Sequence, residues 1–187
     1  MKKSSFWSDA SKCGAIVGAV NVVTSLMGML VPSISFVAGL VNFVATIYLL
    51  FYFTRKRANL FIEEGFTYSQ SLGFIVGSAL FMGVVCAAYQ ILASNFLFTE
   101  QMEQTLATTV AELQKTGVYD GEMIKQMSSL MHSYMFSPIA ILWSQVLGNV
   151  LYIGFLGLFI SVGTKREPVM FVIDEPEEQS DENEEQE

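Results

Sequence analysis

Four methionines, Met123, Met127, Met131 and Met135, recur every four residues beside the chain's one histidine, His132. Thioethers are soft ligands that suit monovalent copper. The same spacing also builds an adaptable apolar face, since methionine fills irregular gaps between packed surfaces. Packing is the favoured reading, with copper handling outside the cytoplasm as the alternative. A second set is amidic: Asn21, Asn42, Gln90, Gln145 and Asn149, with the hydroxyl of Thr24, interrupt long apolar runs. Such groups need partners in a dry setting. They serve either as a network holding helix register or as a polar path for a small solute.

Other chemistry is missing from the pattern. Ionisable residues inside a membrane mark ion pathways and proton relays, and the apolar runs contain none. That argues against a proton- or sodium-coupled pump, though not against a passive pore. No HExxH, phosphate-binding loop or nucleophile elbow occurs. A single histidine cannot make a histidine metal cluster. The expectation is a protein that is not an enzyme, with no catalytic residues and no cofactor. Cys13 and Cys86 sit in apolar runs far apart in the chain and read as small buried residues, not as a disulfide.

The elements that carry these residues follow from hydropathy. Of 187 residues, 52% are hydrophobic and only 15% charged, against about a quarter charged in a soluble domain. Four windows reach the roughly 20 apolar residues that cross a bilayer core: 13–31, 36–54, 72–96 and 139–162. Each must be helical, because lipid offers the backbone no hydrogen-bond partner. The expected fold is all-α, an integral membrane bundle of four transmembrane helices. Lys2 and Lys3 before an apolar stretch could open a signal peptide, but no small-residue cleavage site follows, so the first helix is read as retained.

Basic residues set the orientation. Lys2, Lys3, Lys12, Arg55, Lys56, Arg57, Lys165 and Arg166 fall on one side, and Lys115 and Lys125 on the other. Both termini are therefore expected in the cytoplasm. The outer connection, about 99–136, reads as an amphipathic helical hairpin between the third and fourth spans. Met102, Leu106, Val110 and Leu113 make one stripe, and Met123, Met127, Leu130, Met131 and Tyr134 the other. The two halves are divided by turn signals at Gly117 and Asp120-Gly121. Ser137-Pro138 reads as the start of the last helix.

The formal net charge of −8 is uneven. Residues 167–187 hold ten acids and no Lys or Arg, an acidic tail expected to be disordered and cytoplasmic. Residues 1–166 form the membrane domain and are slightly basic. No clustered basic face suggests a nucleic-acid partner.

Within lipid, helices associate through small residues and hydrogen bonds. Gly14 and Gly18, Gly73 and Gly77, and Ser144 and Gly148 stand at the four-residue spacing that lets backbones approach. Packing within the chain is favoured over a seam between two copies, and nothing in the pattern calls for a homo-oligomer.

The stretch FYFTRKRANLFIEEGFTYSQSLGFIVGSAL joins a basic-ended helix to a glycine-rich one. The run MSSLMHSYMFSPIAILWSQVLGNVLYIGFLGLFISVGTKRE holds a Pro-started last helix closed by basic residues. Together they resemble the small bacterial inner-membrane proteins grouped as domain of unknown function 4199. The resemblance covers residues 10–166 and implies a four-helix membrane protein, with no activity or site residue attached. The leading functional expectation is a non-enzymatic accessory protein whose partners are the lipid bilayer and a membrane or envelope protein. A small channel or solute facilitator is the second reading, and copper handling the third.

Overall fold

The computed structural model describes residues 5–117 and 119–166. It is built from six helices: α1 (Phe6–Leu30), α2 (Ser35–Ala58), α3 (Tyr68–Leu92), α4 (Thr99–Lys115), α5 (Gly121–Phe136) and α6 (Pro138–Thr164). Helices α1, α2, α3 and α6 are long and apolar enough to cross a membrane. The acidic tail lies outside the described residues.

The spanning helices run further than the hydropathy windows. Helix α1 starts seven residues before Cys13 and takes Asp9 and Lys12 into its first turns. Burial explains the extension. Ala10 is fully buried, and the Phe6 ring packs edge-on against Phe74. Lys12 therefore belongs to the first helix and does not precede it.

Helix α3 is the central one, packed between α1 and α6, while α2 lies on the far side of α1 and also touches α6. The core runs along these contacts through Cys13, Val17, Leu50, Phe74, Ile75, Met82, Ile153 and Ile160. Large apolar side chains cover the outside, for example Phe36 at 82% and Leu151 at 75% exposure. A surface of this kind aggregates in water and is satisfied by acyl chains.

Local signals place the ends. Gly65 takes a positive φ of 81°, a conformation that suits glycine, and closes the turn after α2. Thr67 and Gln70 then form a reciprocal capping box at the start of α3. Ser137 holds the N-cap position of α6 with Pro138 first in the helix, but the Ser137 side chain makes no cap bond. At the other end of α3, the Phe98 N–H donates to Ala93 O over five residues, a π-turn that leads the chain into α4.

Helices α4 and α5 pack on each other between α3 and α6. Leu106 is buried in α4, as its stripe requires. In α5 the inward side is Ile124, with Met127, Ser128, Met131 and Met135 half-buried, while Met123, Leu130 and Tyr134 stay exposed. The stripe predicted for α5 is thus rotated: part of it turns away from α4.

Candidate functional site

Residue types place two polar regions in the bundle, one inside the apolar belt and one at its end. The inner region begins at Asn21 on α1. Its Oδ1 accepts from Asn42 Nδ2 of α2 at 2.7 Å, and its Nδ2 donates to Val17 O at 3.0 Å and to Thr46 Oγ1 at 3.5 Å. On the other side of α1, Asn21, Val22 and Ser25 face Cys86, Tyr89 and Gln90 of α3 and Gln145 of α6 around a cavity of about 130 Å³. Gln90 Nε2 donates to Ser94 Oγ at 3.1 Å. Three helices thus bring together Asn21, Gln90 and Gln145. Asn42 joins them through Asn21.

Asn149 does not join that cluster. Its Nδ2 donates to Gln145 O one turn earlier at 2.7 Å and lies 3.4 Å from Gln145 Oε1, so its bonds stay within α6. Thr24 also bonds within its own helix, to Val20 O and Asn21 O. An isolated helix can satisfy these groups, whereas Asn42 depends on α1. Asn21→Leu is accordingly expected to lower stability by about 1 kcal/mol, the scale of interhelical hydrogen bonds in lipid. Asn149→Leu should stay near wild type. Reversible unfolding in detergent checks both, and equal losses would contradict the assignment.

The end region gathers the start of α1, the end of α2, the start of α3 and the end of α6. Arg57 follows Arg55 and Lys56 in one basic triplet, yet it is buried at 8% exposure while its neighbours are exposed. Its guanidinium donates to the Asp9 carboxylate of α1. The Phe6, Phe61 and Phe74 rings surround it, with centroids 5.2, 5.6 and 5.4 Å away. A planar, weakly hydrated cation suits such a cage, because ring faces attract it while the carboxylate balances its charge. A pocket of about 180 Å³ opens beside it, lined by Asp9, Lys12, Phe53, Lys56, Leu60 and Phe74.

The cage continues to the residues that follow α6. Phe61 packs against Phe66, whose backbone exchanges two 2.8 Å hydrogen bonds with Arg166. Ser71 Oγ lies 2.6 Å from Thr164 Oγ1, and Thr164 donates to Ile160 O, so Ser71 is the donor to Thr164. Residues 6, 57, 66 and 166 therefore share one end of the bundle, as an up-and-down arrangement requires. Composition marked this end as basic, but the Asp9–Arg57 partnership was missed: 48 residues separate the two. The only clue was an acid and a base, each facing a helix end of the same topological side.

The glycines divide by contact. A Cβ on Gly14 would lie 2.3 Å from Ser78 O, and one on Gly18 2.9 Å from Val85 Cβ; at Gly77 it would approach the Phe6 ring at 3.2 Å. At Gly73 and Gly148 it would meet nothing within 4 Å, so neither is a contact point inside the bundle. Ser144 is half-buried and donates to Ile141 O of its own helix. Other approaches lie outside the four-residue pairs. Gly83 faces the Val146 backbone at 2.7 Å, and Gly157 faces Ile75 at 3.0 Å.

The methionine ladder does not converge. Met123 and Met135 stand twelve residues apart on one helix, roughly 18 Å along its axis at 1.5 Å per residue. One ion cannot reach all four. Met123 is exposed, the other three are half-buried, and the His132 ring lies tilted against Phe136 with centroids 4.7 Å apart. Half-burial of Met127, Met131 and Met135 suits methionine as filler between helices. Both cysteines are free thiols, Cys13 in the core and Cys86 at the inner cavity.

Comparison with known proteins returns one finding. No curated protein and no solved structure matches the chain. The model of a family described as protein of unknown function DUF4199 matches residues 12–166, which takes in α1 from Lys12 onward, the whole of α2, α3 and α6, the inner amides and Arg57. This multi-pass membrane chain, with its central α3 and its caged arginine, belongs to the DUF4199 family.

Proposed function

We propose that the protein is a non-enzymatic accessory protein of the bacterial inner membrane, acting through contacts with lipid and with another membrane or envelope protein. The observation that carries this reading is the way the bundle is closed. Helices α1 and α3 meet at Gly14 and Gly18, and α3 and α6 meet at Gly83 and Gly157. The amide-lined cavity between them takes in about one turn of each helix, residues 21–25 and 86–90 with Gln145. One turn is about 5 Å, far short of a hydrocarbon core of about 30 Å. The contact faces are instead outside: the apolar flank of α2, and Met123, Leu130 and Tyr134 on α5.

In this reading both termini face the cytoplasm. Six basic residues, Lys12, Arg55, Lys56, Arg57, Lys165 and Arg166, support it by sharing one end of the bundle. Single-cysteine labelling with an impermeant maleimide tests the orientation in a background where Cys13 and Cys86 are alanine. Ser129→Cys on exposed α5 should label in intact cells, and Ser180→Cys only after lysis. The reverse pattern would invert the topology.

A passive facilitator is the second reading, favoured by the one feature above that a bundle needs least, the amide-lined cavity. Solute flux in liposomes separates the two. An accessory protein leaves flux at background and crosslinks to a partner in cells.

A further inference from the structure

The basic triplet at the end of α2 divides its labour. Arg57 turns inward to Asp9, while Arg55 and Lys56 remain exposed. Beneath these two runs a groove of about 390 Å³, lined by Tyr48, Phe51, Tyr52, Arg55, Lys56 and Asn59. Its lining carries two cations, an amide, two phenols and no acid. The Arg55 guanidinium lies over the Phe51 ring at 5.9 Å, and Tyr48 and Tyr52 stack at 6.4 Å with planes only 17° apart. Tyr48 is 66% exposed, so both rings stand on the lipid-facing side of α2.

We infer that this groove is a binding site for one anionic phospholipid. The occupant follows from position and charge. The groove continues the apolar flank of a membrane-spanning helix, so acyl chains already cover its lower part. Its upper end is cationic, and the complementary group at that depth is a lipid phosphate. Tyr48 lies seven residues below Arg55, roughly 10 Å at 1.5 Å per residue. The polar region on each side of a bilayer is about 5–8 Å deep, so this span runs from the phosphate level into the upper acyl chains. The stacked phenols then meet the glycerol esters, where an amphipathic ring has its apolar body in chains and its hydroxyl at polar atoms. Arg55 and Asn59 hold the phosphate from one side of the groove and Lys56 from the other. Nothing in this assignment depends on which face of the membrane α2 ends at, so it stands apart from the accessory-protein reading.

The test uses the full chain purified in neutral detergent and titrated with phosphatidylglycerol, phosphatidylcholine or inorganic phosphate, with bound lipid counted by native mass spectrometry. Wild type should retain one phosphatidylglycerol at least tenfold more tightly than phosphatidylcholine. Arg55→Gln with Lys56→Gln should erase that preference, while Lys115→Gln with Lys125→Gln at the opposite end should keep it. Unchanged circular dichroism shows that the exposed substitutions leave the fold intact. Equal retention of the two lipids by wild type would overturn the site, and so would a preference that survives loss of both cations. Displacement of the lipid by millimolar inorganic phosphate would overturn the lipid as occupant.

Discussion

Gly14→Ala will destabilise the bundle by about 3 kcal/mol, the upper end of the range for overpacking a well-filled interior. The added methyl group would sit 2.3 Å from Ser78 O, 2.7 Å from Phe81 Cβ and 2.9 Å from Met82 N. Two of those atoms belong to the α3 backbone, which cannot rotate aside as a side-chain tip would. Relief therefore requires α1 to move away from α3, opening the contacts of Ala10, Cys13 and Val17 together. Gly73→Ala provides the control on the same kind of residue. Nothing lies within 4 Å of its Cβ position, and its effect should stay within about 0.5 kcal/mol, as for substitutions away from special features. Equilibrium unfolding of the two variants in the same detergent decides the matter. Equal effects would mean that α1 and α3 do not meet at Gly14.

Asp9→Ala and Arg57→Ala should each cost about 3 kcal/mol: the first leaves the Arg57 charge buried among three rings, and the second removes the buried cation that ties α2 to α1. Both side chains are well shielded, Arg57 at 9% and Asp9 at 21% exposure, so solvent screens the pair little. The arginine variant also empties the space between Phe6, Phe61 and Phe74. Arg57→Lys should recover only part of the loss, because an ammonium keeps the charge but not the plane that three rings enclose. The double variant Asp9→Ala with Arg57→Ala should cost clearly less than the sum of the singles, which is the signature of residues coupled directly. Additive losses in such a cycle would show that the cage holds the helices without the ion pair.

These two sites differ in how visible they were beforehand. Gly14 and Gly18 stand out by spacing, but so do Gly73 and Gly148, and only the first pair meets a neighbouring helix. In a water-soluble helix, the apolar stripe would reveal which side is buried. A membrane helix is apolar all round, and lipid accepts either side equally well, so spacing alone cannot assign the rotation of α1, α3 or α6. The amphipathic helices show the contrast. Leu106 of α4 is buried as its stripe predicts, because solvent and core do differ there. In α5 the apolar sector is too wide to choose within, and Ile124 is buried in preference to Leu130, which is 70% exposed.

The amino-acid sequence by itself determined the number of spans, the helical state of each, and the gathering of basic residues at one end. The reason is that a backbone in lipid has one way to satisfy itself, and charge must stay near water. Tertiary structure alone decided that Arg57 turns to Asp9 while Arg55 and Lys56 face outward. It also decided that Asn21 joins Asn42 while Asn149 bonds within α6. Each depends on the rotation and depth at which one apolar cylinder meets another. Those are set by backbone approach at Gly14, Gly83 and Gly157 and by a few interhelical bonds. Hydropathy, which reads one helix at a time, holds no record of them.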